Sequence, residues 1–232
     1  MSVRLKDFTT NDQRMTALMA LPGSSYIPDA AEIFNPKQTA EIGLNFAGVT
    51  MPQSCYPALG TMGLTSSMAV IAHNPVTQAT GLAHLTHEGR LEALSATGEE
   101  ALREMLTKVG GENIGIRLVG PQLRGPVVDG FINNVLDILS EYDADILSAD
   151  FRGKESPHSI AVHAGKWEEG LVRGSVNVFS HAVKGTKGAD MKRRRSETVS
   201  LAGMVRLEHK NDTRIVYYGE DALQSAPEPV LP

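Results

Sequence analysis

A single cysteine in 232 residues excludes an internal disulfide, so nothing in this fold is held by a covalent cross-link. Together with an N-terminal "MSVRLKDFTT" that lacks the apolar core of a signal peptide, this makes the cytoplasm the expected compartment. No apolar run approaches the ~18 residues that a membrane helix needs, so no membrane span is expected. An excess of basic charge is missing as well. The net charge of −5 argues against nucleic acid as the main partner. No clustered thiols or carboxylates suggest zinc, internal repeats are absent, and neither metal nor cofactor is expected.

What is present is an ordinary globular balance, with 41% apolar and 21% charged residues. Residues 1–45 show weak periodicity, and "LPGSSYIPDAAEIFNPKQ" carries turn formers throughout, so this part reads as an irregular N-terminal arm. From "EIGLNFAGVTM" onward short β-rich runs take over. "SMAVIAH" (67–73) is a buried strand, "NPVTQATG" a turn, and "LAHL" begins the returning strand. "TGEEALREMLTKVGG" predicts a helix capped by Thr97 and stopped by Gly110-Gly111, with Ala101, Leu102, Met105, Leu106 and Val109 on one face. "PVVDGFINNVLDILSEY" predicts a second, its apolar face of Val128, Phe131, Ile132, Val135, Leu136 and Leu139 interrupted only by Gly130. "IGIRLVG", "ADILSADFRG" and "SIAVHAGKW" read as further strands. Residues 171–232 form a C-terminal extension with a basic loop at 181–197, a closing hairpin of "TVSLAGMVRLEH" and "TRIVYYG", and a proline-rich tail. The sum is an α+β fold, β-sheets packed together and flanked by helices.

The chemistry-bearing stretch is "ALGTMGLTSSMAVIAHNPVTQATGLAHLTH", a strand, a turn of small hydroxyl residues, and a hairpin whose second strand ends in histidine. Thr61 is followed six residues on by Ser67, and Ser67 seventeen residues on by His84. A hydroxyl at a turn with an imidazole nearby suits a nucleophile and its base. The plain alternative is a hairpin whose hydroxyls satisfy turn backbone, with His84 a hydrogen-bonded strand end. Cys55 is a rival nucleophile. His87 makes an H-x-x-H pair with His84, but on a strand the two would face opposite ways. Asp150 and Arg152, ending a strand, read as a surface ion pair or, alternatively, as residues that help hold substrate. "MKRRRSE" reads as a solvated loop, with docking on an acidic protein surface as its functional alternative, and Ser196 within it can be modified.

These residues resemble the chemoreceptor glutamine deamidases, the CheD family. Its members carry a threonine, a cysteine six residues later in a glycine-rich turn, and a histidine seventeen beyond, within a glycine-glycine-x-alanine-histidine pattern that "TGLAH" approaches. The resemblance covers roughly residues 46 to 170, including "IGIRLVG" and "DILSADFRG". It implies a CheD-like fold and hydrolysis of a glutamine side chain in a protein, a methyl-accepting chemoreceptor in that family, with a chemotaxis regulatory partner. It also implies roles: Ser67 in the nucleophile's place, His84 as general base and acid, Thr61 as its orienter, and Thr65, Ser66 and Asp150 toward the substrate.

Two departures matter. The family's glycine-serine-cysteine turn is here Thr65-Ser66-Ser67. A left-handed backbone at Thr65 would be strained in a β-branched residue. Serine at 67 cannot form the thiolate that a cysteine forms beside imidazolium, so it needs concerted proton removal and gives a slower site. Three origins stay open: a replacement made in an active enzyme, a natural serine amidohydrolase, or a non-catalytic relative serving as an adaptor. A small-molecule-binding domain would instead show a closed apolar pocket.

Overall fold

A computed structural model describes residues 2–27, 34–88, 93–123, 125–150, 159–173 and 215–218. The polypeptide forms two packed β-sheets with helices on the outer face of the larger one. Its strands are β1 (Thr39–Glu41), β2 (Phe46–Thr50), β3 (Ala58–Met62), β4 (Met68–His73), β5 (Thr80–Leu85), β6 (Glu112–Val119), β7 (Asp143–Asp150), β8 (Ser159–His163), β9 (Val172–Arg173) and β10 (Ile215–Tyr218). Its α-helices are α1 (Asn11–Met19), α2 (Ala96–Val109) and α3 (Pro126–Leu139). The smaller sheet has the order β1-β3-β8-β9 and the larger β10-β2-β5-β4-β6-β7.

Alternation along the strands decides which core each side chain joins. On β4, Met68, Val70 and Ala72 face the helices, while Ala69 and Ile71 face the smaller sheet. On β5, Ala83 joins the helix side and Leu82 the space between sheets. Both strands are therefore buried on two faces, which is why "MAVIAH" is a continuous run of buried residues rather than an alternating one. The apolar stripes of α2 and α3 supply the helical layer, as their spacing predicts. Gly130 lies within α3 without ending it. α3 is also the crossover that lets β6 and β7 pair in parallel.

Ser95, not Thr97, caps α2. Its side chain accepts the Gly98 N–H at 3.1 Å, and Thr97 lies inside the first turn. Residues 1–45 are also more regular than their pattern suggests. α1 buries only Leu18, so it leaves little apolar signature. Its segment is fixed instead by the edge of the larger sheet, where Val3 and Ile146 exchange main-chain hydrogen bonds and Arg4 and Lys6 meet Asp145 and Asp143. β1 joins the smaller sheet beside β3. From the C-terminal extension, β10 lies parallel to β2. The strand expected to form a hairpin with it, the basic loop, Arg152 and Ser196 lie outside the described residues. No helix among the described residues is long and apolar enough to cross a membrane.

Phe131 on α3 is fully buried and central to the helix-side core. Phe131→Ala is expected to lower unfolding stability by about 3–5 kcal/mol. Urea denaturation would show it as a lower midpoint at unchanged slope.

Candidate functional site

The site lies where one end of the larger sheet meets the smaller one. By alternation, Ser67, Ala69 and Ile71 share the inter-sheet side, and so do Leu82 and His84. Thr61 comes from β3 of the opposite sheet. The three polar side chains thus sit at the rim of an apolar layer that includes Leu59, Ile71 and Leu82. The His84 ring bridges the other two, with Nε2 2.7 Å from Ser67 Oγ and Nδ1 2.7 Å from Thr61 Oγ1.

A fourth group settles the direction of these bonds. Thr61 Oγ1 also lies 2.7 Å from the Ile42 carbonyl oxygen. A carbonyl can only accept, so the single threonine proton goes to Ile42. Thr61 must then accept from His84, which places the imidazole proton on Nδ1. Nε2 is left with a free lone pair, and the Ser67 hydroxyl donates to it. The chain Ser67 → His84 → Thr61 → Ile42 is consistent at every step and presents histidine as a base to serine. When His84 is protonated, Nε2–H can donate to Ser67 Oγ, whose proton then turns to the Gly63 carbonyl 3.1 Å away.

Local backbone explains how the parts are held. The turn from β3 to β4 takes its left-handed residue at Gly63, φ +88°, whereas Thr65 is not among the positive-φ residues. The β-branched residue therefore stands there without that strain. Thr65 N–H donates to Gly63, and the Thr65 carbonyl accepts from Gln122 and Leu123 after β6. The Ile42–Asn45 connection grips the histidine strand from the other side, with Asn45 N–H donating to the His84 carbonyl. Asn45, at φ +61°, also accepts the Thr86 N–H through its side chain. Among the described residues, nothing accepts the main-chain N–H of Ser66 or Ser67. These two donors are candidates for holding an oxyanion formed at Ser67.

Ser67 and His84 are only 3% and 4% exposed, beneath a turn whose Gly63 and Thr65 are exposed. Burial pushes His84 down to about 4, opposed in part by the Ile42 carbonyl. The imidazole is therefore neutral, and able to accept a proton, from about pH 5 upward. Ser67 modification that depends on this base should be level between pH 5 and 7 and fall to half near pH 4. Stability follows the same sign. The unfolded chain binds a proton near 6.5 and the folded one only near 4, so stability is fully present above 6.5 and declines as pH falls toward 4. The gap corresponds to about 3 kcal/mol, and a His84→Gln variant should lack this part of the pH dependence in urea titrations.

Asp150, another expected site residue, pairs with Val119 in the row that continues through Ala69 to His84, at the same end of the sheet as Ser67. The Asp150 carboxylate accepts from Ser24 N–H at 2.8 Å and from the Tyr26 hydroxyl at 2.7 Å. It thus ties down the N-terminal segment, while its main-chain oxygen receives the Gly120 N–H. Ser66 and Thr65 form the turn over the serine. Cys55 is exposed in the connection from β2 to β3. β2 starts level with His84 and runs away from it, so that connection is at the far end of the sheet. Cys55 is therefore not placed to replace Ser67. His87 lies beyond β5, pairs with Leu94 and meets Phe131 edge-on, so opposite faces of one strand do not describe the two histidines. Among the described residues no cluster of histidine, cysteine or carboxylate could hold a metal ion.

Ile42 and Gly120 were not legible as site residues. Ile42 acts through its carbonyl, which no side-chain motif reveals. Gly120 has φ +72°, and a Cβ there would stand 2.6 Å from the Ser67 carbonyl oxygen. The only sequence signal was a glycine before a proline. Compared with known family models and with curated protein sequences, the chain matches none.

Proposed function

We propose that this chain is a serine amidohydrolase that converts a glutamine side chain of a protein to glutamate, a CheD-like deamidase with serine in the cysteine's place. The observation that carries this reading is the directed hydrogen-bond chain from Ser67 through His84 and Thr61 to Ile42. In the first half-reaction Ser67 Oγ bonds to the carboxamide carbon as its proton passes to His84 Nε2. The C–N bond then breaks, and His84 returns the proton to departing ammonia. Water repeats the sequence on the acyl-serine, leaving glutamate and free serine. The N–H groups of Ser66 and Ser67 are the oxyanion donors in this scheme. By the family resemblance the target is a chemoreceptor.

Depth favours a side-chain amide over a peptide bond. A nucleophile this recessed suits the long, unbranched end of glutamine, whereas a main-chain amide would need a wide cleft. The same near-closure favours a second reading, a CheD-like adaptor that binds the target without turning it over.

The test incubates the unaltered chain, Ser67→Cys and Ser67→Ala with chemoreceptor fragments and reads amide-to-acid conversion by mass spectrometry. Conversion by the unaltered chain and Ser67→Cys, but not Ser67→Ala, supports the serine enzyme. Conversion by Ser67→Cys alone points to a lapsed or replaced nucleophile. Fragments that bind all three variants without conversion favour the adaptor.

A further inference from the structure

Arg117 on β6 carries a buried charge with no acceptor among the described residues. It is 8% exposed, and its Nη1 is closed off from solvent without a hydrogen-bond partner. By alternation it shares the inter-sheet side with Val119, and by register it stands beside Ser148 of β7. Its guanidinium lies 4.1 Å from the centre of the Trp167 ring, which stacks on His73 at 4.9 Å. That cation–π contact offsets only part of the cost of burying an unpaired charge. The neighbouring oxygens are engaged elsewhere. Ser148 Oγ bonds Ser24 Oγ at 2.8 Å, and Asp150, two residues on, accepts from Ser24 N–H and the Tyr26 hydroxyl. Glu168 is exposed, and its charge acts on Arg117 without a hydrogen bond or ion pair joining the two.

We propose that Arg117 anchors a binding site for a small free carboxylate. The planar fork of a guanidinium matches the two oxygens of a carboxylate, and such a pair is among the stronger charged contacts. Nε and Nη2 are neither hydrogen-bonded nor fully buried, so that edge is the one the ligand reaches. Pairing there neutralises the delocalised charge that Nη1 carries into the interior. With the Asp150 and Glu168 carboxylates close by, a single negative charge is better accommodated than a phosphate dianion. So little of Arg117 is exposed that a compact molecule fits this opening better than an acidic side chain of a partner protein. The Trp167 ring holds the guanidinium plane beforehand, so little ordering is left for binding to impose. Arg117 pairs with Ile71, four residues on from Ser67, and the inference does not rest on the deamidase reading.

Trp167 is the chain's only tryptophan, so its fluorescence reports on Arg117 directly. The full chain is titrated at neutral pH with sodium acetate, with inorganic phosphate and with sodium chloride, all at one ionic strength. Acetate should change the emission along a saturating curve, and chloride should not. Arg117→Lys keeps the charge without the fork and should weaken acetate by about tenfold or more. Arg117→Met, which keeps length without charge, should abolish the response. In urea without carboxylate, Arg117→Met should unfold at a midpoint no lower than that of the unaltered chain, because the charge it removes has no partner. Acetate should raise the midpoint of the unaltered chain alone. Equal responses to acetate and chloride, a response that survives in Arg117→Met, or phosphate bound as tightly as acetate would overturn the proposal. So would a lower midpoint for Arg117→Met in chloride, or acetate binding confined to a Glu168→Gln variant, since either would show that the protein supplies the acceptor itself.

Discussion

His84→Gln is expected to slow acylation of Ser67 by about 10²–10⁴-fold, the usual contribution of a positioned general base. Glutamine retains polar atoms near both partners, so the variant should fold. It cannot accept a proton at neutral pH, and serine is a poor nucleophile while it keeps its own. Thr61 acts one step further out. Its hydroxyl carries no charge, and in the proposed mechanism it holds the proton on Nδ1 by donating its own to Ile42. Pre-steady-state acylation by an activated ester separates this effect from substrate binding, since the histidine step governs the burst. A burst equal to that of the unaltered chain would remove His84 from the chemistry.

Gly120→Ala should be the most damaging change outside Ser67, His84 and Thr61. The residue adopts φ +72°, which costs an L-amino acid about 1–2 kcal/mol. The added methyl would also stand 2.6 Å from the Ser67 carbonyl and 3.2 Å from that of Leu64. Both contacts are backbone, so they cannot be relieved by a side-chain rotation. The serine turn must shift, and a misplacement near 1 Å can cost about 10²-fold in rate. The expected signature is a modest loss in urea midpoint with a much larger loss in Ser67 acylation. Acylation unchanged in this variant would mean that the turn does not depend on β6 for its position.

The helices and central strands were legible because they bury continuous surface. The stripes of α2 and α3 have a spacing that only a helix satisfies, and the apolar run of β4 is too short for a helix and is followed by the turn formers Asn74-Pro75. Other features depend on partners distant in sequence. α1 buries a single leucine, and its segment is ordered by main-chain pairing at Val3 with an edge strand more than a hundred residues away. Ser95 and Thr97 both suit a helix start, and geometry alone gives the cap to Ser95. At the site, Thr61, Ser67 and His84 were singled out together by the family resemblance, and they do converge. Asp150 stands at the same end of the sheet, and the bonds its carboxylate accepts from Ser24 and Tyr26 come from residues too distant in sequence for a motif to reveal. The Ile42 carbonyl was invisible in the sequence, since any residue could supply it.

Exposure of the chain to a small fluorophosphonate at neutral pH, followed by peptide mapping, tests the central claim most directly. A base-activated serine should be phosphonylated at Ser67, and the label should be lost in His84→Gln. Labelling that spares Ser67, or that marks it equally without the histidine, would contradict a hydrolytic role for this triad.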